Sequence, residues 1–137
     1  MNYVLDSYAV LAYLEKEQDY EKVRDVLIRA AEGKAKLWMT SVNWAEVFYI
    51  VLREQGSEVA AEVLQILDGF PIEIVDVDKT LAKQAGIYKA YYKMSYADCF
   101  AAALAKINKA ELITGDPEFK EVEDEIKILW LTAKASS

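Results

Sequence analysis

The stretch Asn2-Tyr-Val-Leu-Asp-Ser-Tyr-Ala-Val-Leu-Ala-Tyr-Leu14 sets the architecture. Tyr3 to Leu5 is a short apolar run of residues that favour strands, Asp6-Ser7 interrupts it, and Tyr8 to Leu14 is apolar and compatible with a helix. The segment predicts strand, turn, helix. The same grammar recurs downstream, with strands predicted at Leu37 to Met39, Ile72 to Val75, Leu112 to Thr114 and Ile126 to Leu129. Helical spacing fills the intervals between them. Tyr20, Val23, Val26, Leu27 and Ala30 form one apolar face, and Gly33 is placed to stop that helix. Thr40-Ser41-Val42-Asn43 offers several N-caps for a helix reaching about Gln55. Its apolar stripe is read as Val42, Ala45, Phe48, Tyr49 and Leu52, widened by Val47, Ile50 and Val51. Ser57 caps a helix to about Leu67, Asp78 to Lys93 has helical spacing, and Ser95 opens an alanine-rich helix expected to be deeply buried.

Short strands alternating with helices argue for a parallel sheet, because parallel neighbours need crossover connections and these are usually helical. Right-handed crossovers then cover both faces. The fold class is α/β, a three-layer α/β/α sandwich around a central, mainly parallel sheet. The 137 residues suit one domain, assigned to 1–132, with 133–137 expected to fray.

Composition removes several kinds of chemistry. The chain has no His and one cysteine, Cys99, which excludes imidazole catalysis, a Ser-His-Asp triad, a Cys-His dyad, an intramolecular disulfide and a Cys/His zinc site. Nothing near Cys99 supplies a base or cation to activate a thiol, so it reads as a small buried hydrophobe. Sixteen basic against 23 acidic residues give a net charge of −7, the wrong sign for a protein that coats nucleic acid. No apolar run approaches the roughly 18 residues of a membrane span, and the N-terminus lacks a signal-peptide pattern. Cysteine usage fits a reducing compartment, and the expected location is the cytoplasm.

Carboxylates remain. Asp6 and Asp116 directly follow predicted strands, while Glu46 and Asp98 lie in the first turn or so of predicted helices. Each has an ordinary structural role open to it. Asp6 and Asp116 can cap helices, the latter with Pro117 at the first helical position, and Asn43-Trp-Ala-Glu46 and Ser95-Tyr-Ala-Asp98 both have capping-box spacing. Taken together they say more, since helices of an open parallel sheet begin at the carboxyl edge, where ligand sites form. Four carboxylates there carry a charge of −4. Such a cluster calls for protonation or for hard cations such as Mg²⁺ or Mn²⁺.

The quoted motifs also carry a resemblance. Val4-Leu5-Asp6-Ser7 before Ala9-Val10-Leu11, Ser41 with Glu46, Ala97-Asp98 before an alanine-rich helix, and Leu112-Ile-Thr-Gly-Asp-Pro-Glu-Phe119 together resemble PIN-domain ribonucleases of the VapC toxin type. That resemblance implies a PIN-like fold and an Mg²⁺- or Mn²⁺-dependent endoribonuclease, the toxin of a type II toxin–antitoxin pair. It implies an RNA substrate, a cognate antitoxin and a homodimer, with Asp6, Glu46, Asp98 and Asp116 as catalytic, metal-binding acids. Ser7 and Thr114 match hydroxyl positions beside those acids, where orienting a ligand and local capping are both open. Phosphodiester hydrolysis on a carboxylate-held metal needs no histidine.

Arg53, Lys89, Lys93 and Lys120 are candidates for a cationic rim on an RNA path, against ordinary surface charge. Tyr91, Tyr92 and Tyr96 are expected to pack rather than stack on bases. The acidic stretch Glu118 to Glu125 is expected to be a solvated surface. The wide Glu46 helix and the Tyr20 to Ala30 helix are expected to serve dimer and antitoxin contacts. Two other readings stay open: a phosphohydrolase with an Asp6 nucleophile acting on a small phosphate ester, and a non-enzymatic interaction module whose acids only cap helices.

Overall fold

The computed structural model describes residues 1–131. Chain order is β1 (Asn2–Leu5), α1 (Ser7–Leu14), α2 (Tyr20–Ala31), β2 (Lys36–Thr40), α3 (Ser41–Gln55), α4 (Ser57–Asp68), β3 (Glu73–Val75), α5 (Lys79–Tyr91), α6 (Tyr96–Asn108), β4 (Glu111–Thr114), a 3-10 helix (Pro117–Val122) and β5 (Ile128–Trp130). Among the described residues the strands form one five-stranded sheet in the order β3-β2-β1-β4-β5. Every neighbouring pair is parallel. From β1 the chain adds β2 and β3 on one side and then returns to add β4 and β5 on the other. The reversal falls between β1 and β4, and a crevice forms there at the carboxyl edge of such sheets.

Two cores lie on opposite faces of the sheet. Val4 and Leu112 pack with Leu81, Ala85, Tyr88 and the buried run Cys99–Ala105 under α5 and α6. Tyr3, Leu5 and Ile113 pack with Ala9, Val10, Val23, Val26 and Val47 under α1, α2 and α3. Successive side chains of a strand point to opposite faces, so β1 supplies both cores and reads as a continuous apolar run. The three-layer α/β/α arrangement is therefore the one expected. The alanines of α6 are buried as anticipated, and their small side chains bring that helix close to the sheet and to α5. Cys99 is buried among them, and burial pushes its thiol pKa up.

Several local expectations need correction. The sheet-facing stripe of α3 is Asn43, Val47 and Val51, while Ala45, Tyr49 and Leu52 face outward. That stripe follows strict i, i+4 spacing and admits a polar Asn, which apolar counting passes over. The last strand begins at Ile128 rather than Ile126, because Ile126 turns into the α6 core. Helix α5 ends at Tyr91, and its last residue is 80% exposed; Tyr96 is 62% exposed. Tyr91 and Tyr96 thus do not pack inward, although Tyr96 leans edge-on against Phe100. Tyr92 is half-buried and donates to Glu125 Oε2 at 2.6 Å. The acidic stretch is more than solvated surface, since Glu118, Glu121 and Glu125 accept from Ser95 N–H, Lys93 N–H and Tyr92 OH and stitch the 3-10 region to the α5–α6 loop. The 1–132 boundary and the 133–137 tail fall outside the described residues.

Candidate metal centre

Local chemistry places the carboxylates first. Asp6 ends β1 in an extended conformation and caps α1, its Oδ1 accepting from Ala9 N–H at 2.8 Å. Its other oxygen, Oδ2, accepts from Thr114 Oγ1 on the neighbouring strand β4. Thr114 Oγ1 in turn accepts from Asp116 N–H at 3.0 Å, and Asp116 Oδ1 accepts from Glu118 N–H at 2.9 Å. Capping and clustering are therefore the same geometry here. The acids sit at helix starts, and the helix starts meet at one edge.

Glu46 arrives from the other side. Thr40, not Asn43, is the N-cap of α3, with its Oγ1 accepting from Asn43 N–H at 3.0 Å. The expected Asn43–Glu46 capping box does not form, because Thr40 is already extended at the end of β2 and the helix begins one residue later. Glu46 is left free of the cap and accepts a short hydrogen bond from Ser7 Oγ. Asn43 is fully buried, and its amide Nδ2 donates to Ala97 C=O at 3.2 Å, tying α3 to the first turn of α6. Reading Asn43 as a cap missed this role.

Asp98 occupies that first turn. Its N–H donates to Ser95 Oγ at 3.3 Å, one half of the expected capping box. In the reciprocal half the acid accepts the Ser95 N–H, but here Glu118 Oε1 accepts it instead, at 2.7 Å. Asp98 is 4% exposed, with Oδ2 buried and without a hydrogen-bond partner. Oxygens of Asp98, Asp116 and Glu118 all lie within 4.8 Å of one another. Glu118 was not among the candidate ligands: an acid just after a helix-starting Pro looks like a helix-dipole residue, and only the fold brings it to Asp98.

Burial and like charge raise the pKa values. Desolvation pushes Asp6 up to about 7, helped by Asp116 and Glu46 and opposed by the hydrogen bonds from Thr114 and Ala9. Asp98 is pushed far above the usual carboxylate range, first by desolvation and then by Asp116, Glu118 and Asp6. Among the described residues no Lys or Arg forms an ion pair with these acids. An unpartnered buried carboxylate oxygen beside other carboxylates is costly without a cation. Hard oxygen donors with no imidazole or thiolate suit Mg²⁺ or Mn²⁺, so the donor set fits a divalent cation.

Gly115 completes the crevice. It is buried between Thr114 and Asp116, and a Cβ there would lie 2.3 Å from Cε1 of Tyr8. The Tyr8 ring can therefore lie against the backbone only where a side chain is absent. The proposed cationic rim is mixed: Lys89 Nζ donates to Met94 C=O at 2.8 Å and serves the loop, whereas Arg53, Lys93 and Lys120 are exposed. Arg53 stacks over the Tyr49 ring.

Fold and site together define an all-parallel α/β protein with an acid-lined crevice at its topological switch point. The PIN-domain family model matches residues 3–125, and the chain belongs to the PIN-domain family. No curated protein matches the chain in sequence. Solved structures match it in fold. A chain of VapBC2 from Rickettsia felis, bound to a promoter DNA fragment, aligns with a TM-score of 0.77 at 19% identity, over 96% of this chain and 100% of that one. VapBC-1 from nontypeable Haemophilus influenzae gives 0.69 at 19%, covering 95% and 98%. VapC20 from Mycobacterium tuberculosis, a sarcin–ricin loop cleaving toxin, gives 0.66 at 14%, covering 88% and 93%. The chain thus has the fold of VapC-type PIN proteins.

Proposed function

We propose that this PIN domain is a divalent-metal-dependent endoribonuclease and the toxin of a type II toxin–antitoxin pair acting in the cytoplasm. The observation that carries the reading is the convergence of Asp6, Glu46, Asp98 and Asp116 on one edge, with a buried oxygen of Asp98 left unpartnered. The fold shared with VapBC chains and with a sarcin–ricin loop cleaving toxin supports RNA as the substrate and an antitoxin as the partner.

Asp6, Glu46, Asp98 and Asp116 hold Mg²⁺ or Mn²⁺ in this reading. The bound ion supplies Lewis acidity toward a phosphoryl oxygen and lowers the pKa of water. Thr114 fixes one oxygen of Asp6 and Ser7 fixes Glu46, so both carboxylates present their remaining lone pairs in defined directions. Asn43 holds the first turn of α6, and with it Asp98, against α3. Neutralising the acids also answers the objection of a −7 chain binding a polyanion, with Arg53, Lys93 and Lys120 left to meet backbone phosphates. Tyr49 and Leu52 on α3 and Ile66 on α4 are exposed apolar residues suited to a homodimer contact, and Ile28 on α2 to the antitoxin.

Thermal unfolding of wild type and Asp98→Asn, each with EDTA, Mg²⁺ and Mn²⁺, tests the site without knowledge of the RNA target. A metal-dependent rise in midpoint that the variant loses is expected. Metal-dependent fragmentation of total RNA by the wild type alone then tests the activity. Identical metal responses from both proteins would leave the acids as helix caps of an interaction module. Release of phosphate from a generic phosphomonoester, abolished in Asp6→Asn, would move the reading to the phosphohydrolase.

A further inference from the structure

We infer that a cleft at the amino edge of the sheet, at the opposite pole from the acids, binds a sugar phosphate, either free or as part of a nucleoside monophosphate. Lys109 and Lys127 take the phosphate, and Glu111 takes hydroxyls of the sugar.

The topology makes the place. Strands β1, β4 and β5 are parallel neighbours, so their starts share one edge, and the chain leaving α6 turns there through Lys109 and Ala110. A cleft of about 510 Å³ opens between the end of α6, the start of β1 and the Ile126-Lys127 segment before β5. That volume suits a small molecule, whose sites span about 300–1,000 Å³. Ala105, Ala110 and Ile126 give the cleft an apolar floor. The four residues of β1 set it roughly 13 Å from Asp6, at about 3.3 Å of rise per residue, so it is a site apart from the acid crevice.

Charge selects the ligand. Lys106, Lys109 and Lys127 line the cleft in a chain whose net charge is −7. Lys106 is committed, its Nζ 3.6 Å from Glu125 Oε1, and Glu125 also accepts from Tyr92 OH. Among the described residues Lys109 and Lys127 form no ion pair, and both are exposed. Two free ammonium groups match a phosphate monoester, which carries about −1.5 to −2 at neutral pH, and lysine meets phosphate as a point charge. Glu111 lines the same cleft, half-buried and without an ion pair. An ionised carboxylate can only accept, so beside a bound phosphate it calls for donors, and the hydroxyls of a sugar are such donors.

Lys109 also stands where a side chain is unfavourable. It closes α6 at φ 49° and ψ 46°, a left-handed conformation that glycine adopts freely and other residues do not. The dipole of α6 favours a cation at this end, and Lys106 already supplies one. The dipole gives no reason for Lys127, which arrives from the segment before β5.

Isothermal titration calorimetry of the full-length chain in EDTA tests the site, because without divalent cations the acids at the other edge repel phosphate. Adenosine monophosphate, ribose 5-phosphate and inorganic phosphate are each titrated into wild type, the double variant K109Q/K127Q, E111A and K34Q. Lys34 is the control, being exposed, paired with Glu32 and outside the cleft. Saturable binding of at least one of the two sugar phosphates by wild type and K34Q is expected, weaker by at least about tenfold in the double variant. E111A should weaken the sugar phosphates and leave inorganic phosphate unchanged, since only the former carry hydroxyls. Tighter binding of adenosine monophosphate than of ribose 5-phosphate would identify the nucleotide as the source, and equal binding the free sugar phosphate. No binding by wild type at millimolar ligand, or a double variant that binds like wild type, would overturn the site. Inorganic phosphate bound as tightly as both sugar phosphates would overturn the recognition of the sugar.

Discussion

The two halves of the acid crevice solve the same electrostatic problem differently. On the β1–α3 side, Asp6 and Glu46 each receive a hydroxyl, from Thr114 and Ser7, and Asp6 also receives the Ala9 N–H. On the α6–3-10 side, Asp98, Asp116 and Glu118 face one another, and Asp98 Oδ2 receives nothing. The pKa values follow the partners: donors hold the fully buried Asp6 to about 7 against desolvation, whereas at Asp98 the neighbouring acids add to it. Donors orient a carboxylate; only a proton or a cation neutralises one. The first half is thus preorganised by the chain, and the second leaves its charge to be neutralised by a proton or a cation.

The largest expected effect is on activity, and it touches both halves. Asp6→Asn and Asp98→Asn should each lower metal-dependent RNA cleavage by at least about a hundredfold in a single-turnover assay, more than loss of an orienting partner costs. Near-wild-type cleavage by either variant would break the equivalence of the two halves as ligand sets.

Next in size is a pH effect that distinguishes them without metal. The folded-state pKa of Asp6 is raised from 3.8 to about 7, so between those values the folded chain holds a proton that the unfolded chain has released. Stability from this group is therefore full below about pH 4, falls as pH rises, and levels off above about pH 7, by a few kcal/mol at most. Asp6→Asn cannot ionise and still caps α1, so in EDTA its stability should gain on wild type from pH 4 to pH 8, as read by urea unfolding. A constant difference across that range would show that Asp6 is not pushed up. For Asp98 the same sign applies, and its window extends to higher pH because its pKa is raised further.

Gly115→Ala probes the joint between the halves. With 2.3 Å between the new Cβ and Tyr8, the ring or the Thr114–Asp116 backbone must shift, at a cost of about 1–3 kcal/mol in thermal or denaturant unfolding. Combining it with Tyr8→Ala should cost less than the sum of the two single changes, since the clash then has no partner.

The smallest of these effects sharpens the hydroxyl role. Thr114→Val keeps the volume and removes the donor, so the pKa of Asp6 should rise further and cleavage should fall by about ten- to a hundredfold. A fall as large as that of Asp6→Asn would mean that the threonine does more than orient its neighbour.

Much of this was legible from the residues. Strand, turn and helix followed from apolar runs at Tyr3 to Leu5 and Leu112 to Thr114, because a strand buried on both faces has to be apolar throughout. The candidate acids were visible because helix starts and sheet edges coincide in parallel α/β folds. What was misread involved partners distant in sequence. Asn43 has the type and spacing of a cap, yet its amide answers Ala97 on another helix; Tyr91 and Tyr96 are expected to pack as aromatic residues, yet the chain turns between them and both face outward.

The sequence by itself determined the alternation of strands and helices, the absence of imidazole and paired-thiol chemistry, and the supply of acids at helix starts, since each depends on residue type and short-range spacing. The tertiary structure decided which acids meet, which receive a hydroxyl and which is left bare. Those outcomes depend on contacts such as Asp6–Thr114, Ser7–Glu46 and Ser95–Glu118, whose partners are 108, 39 and 23 positions apart. Only the folded sheet order brings them within a few ångströms.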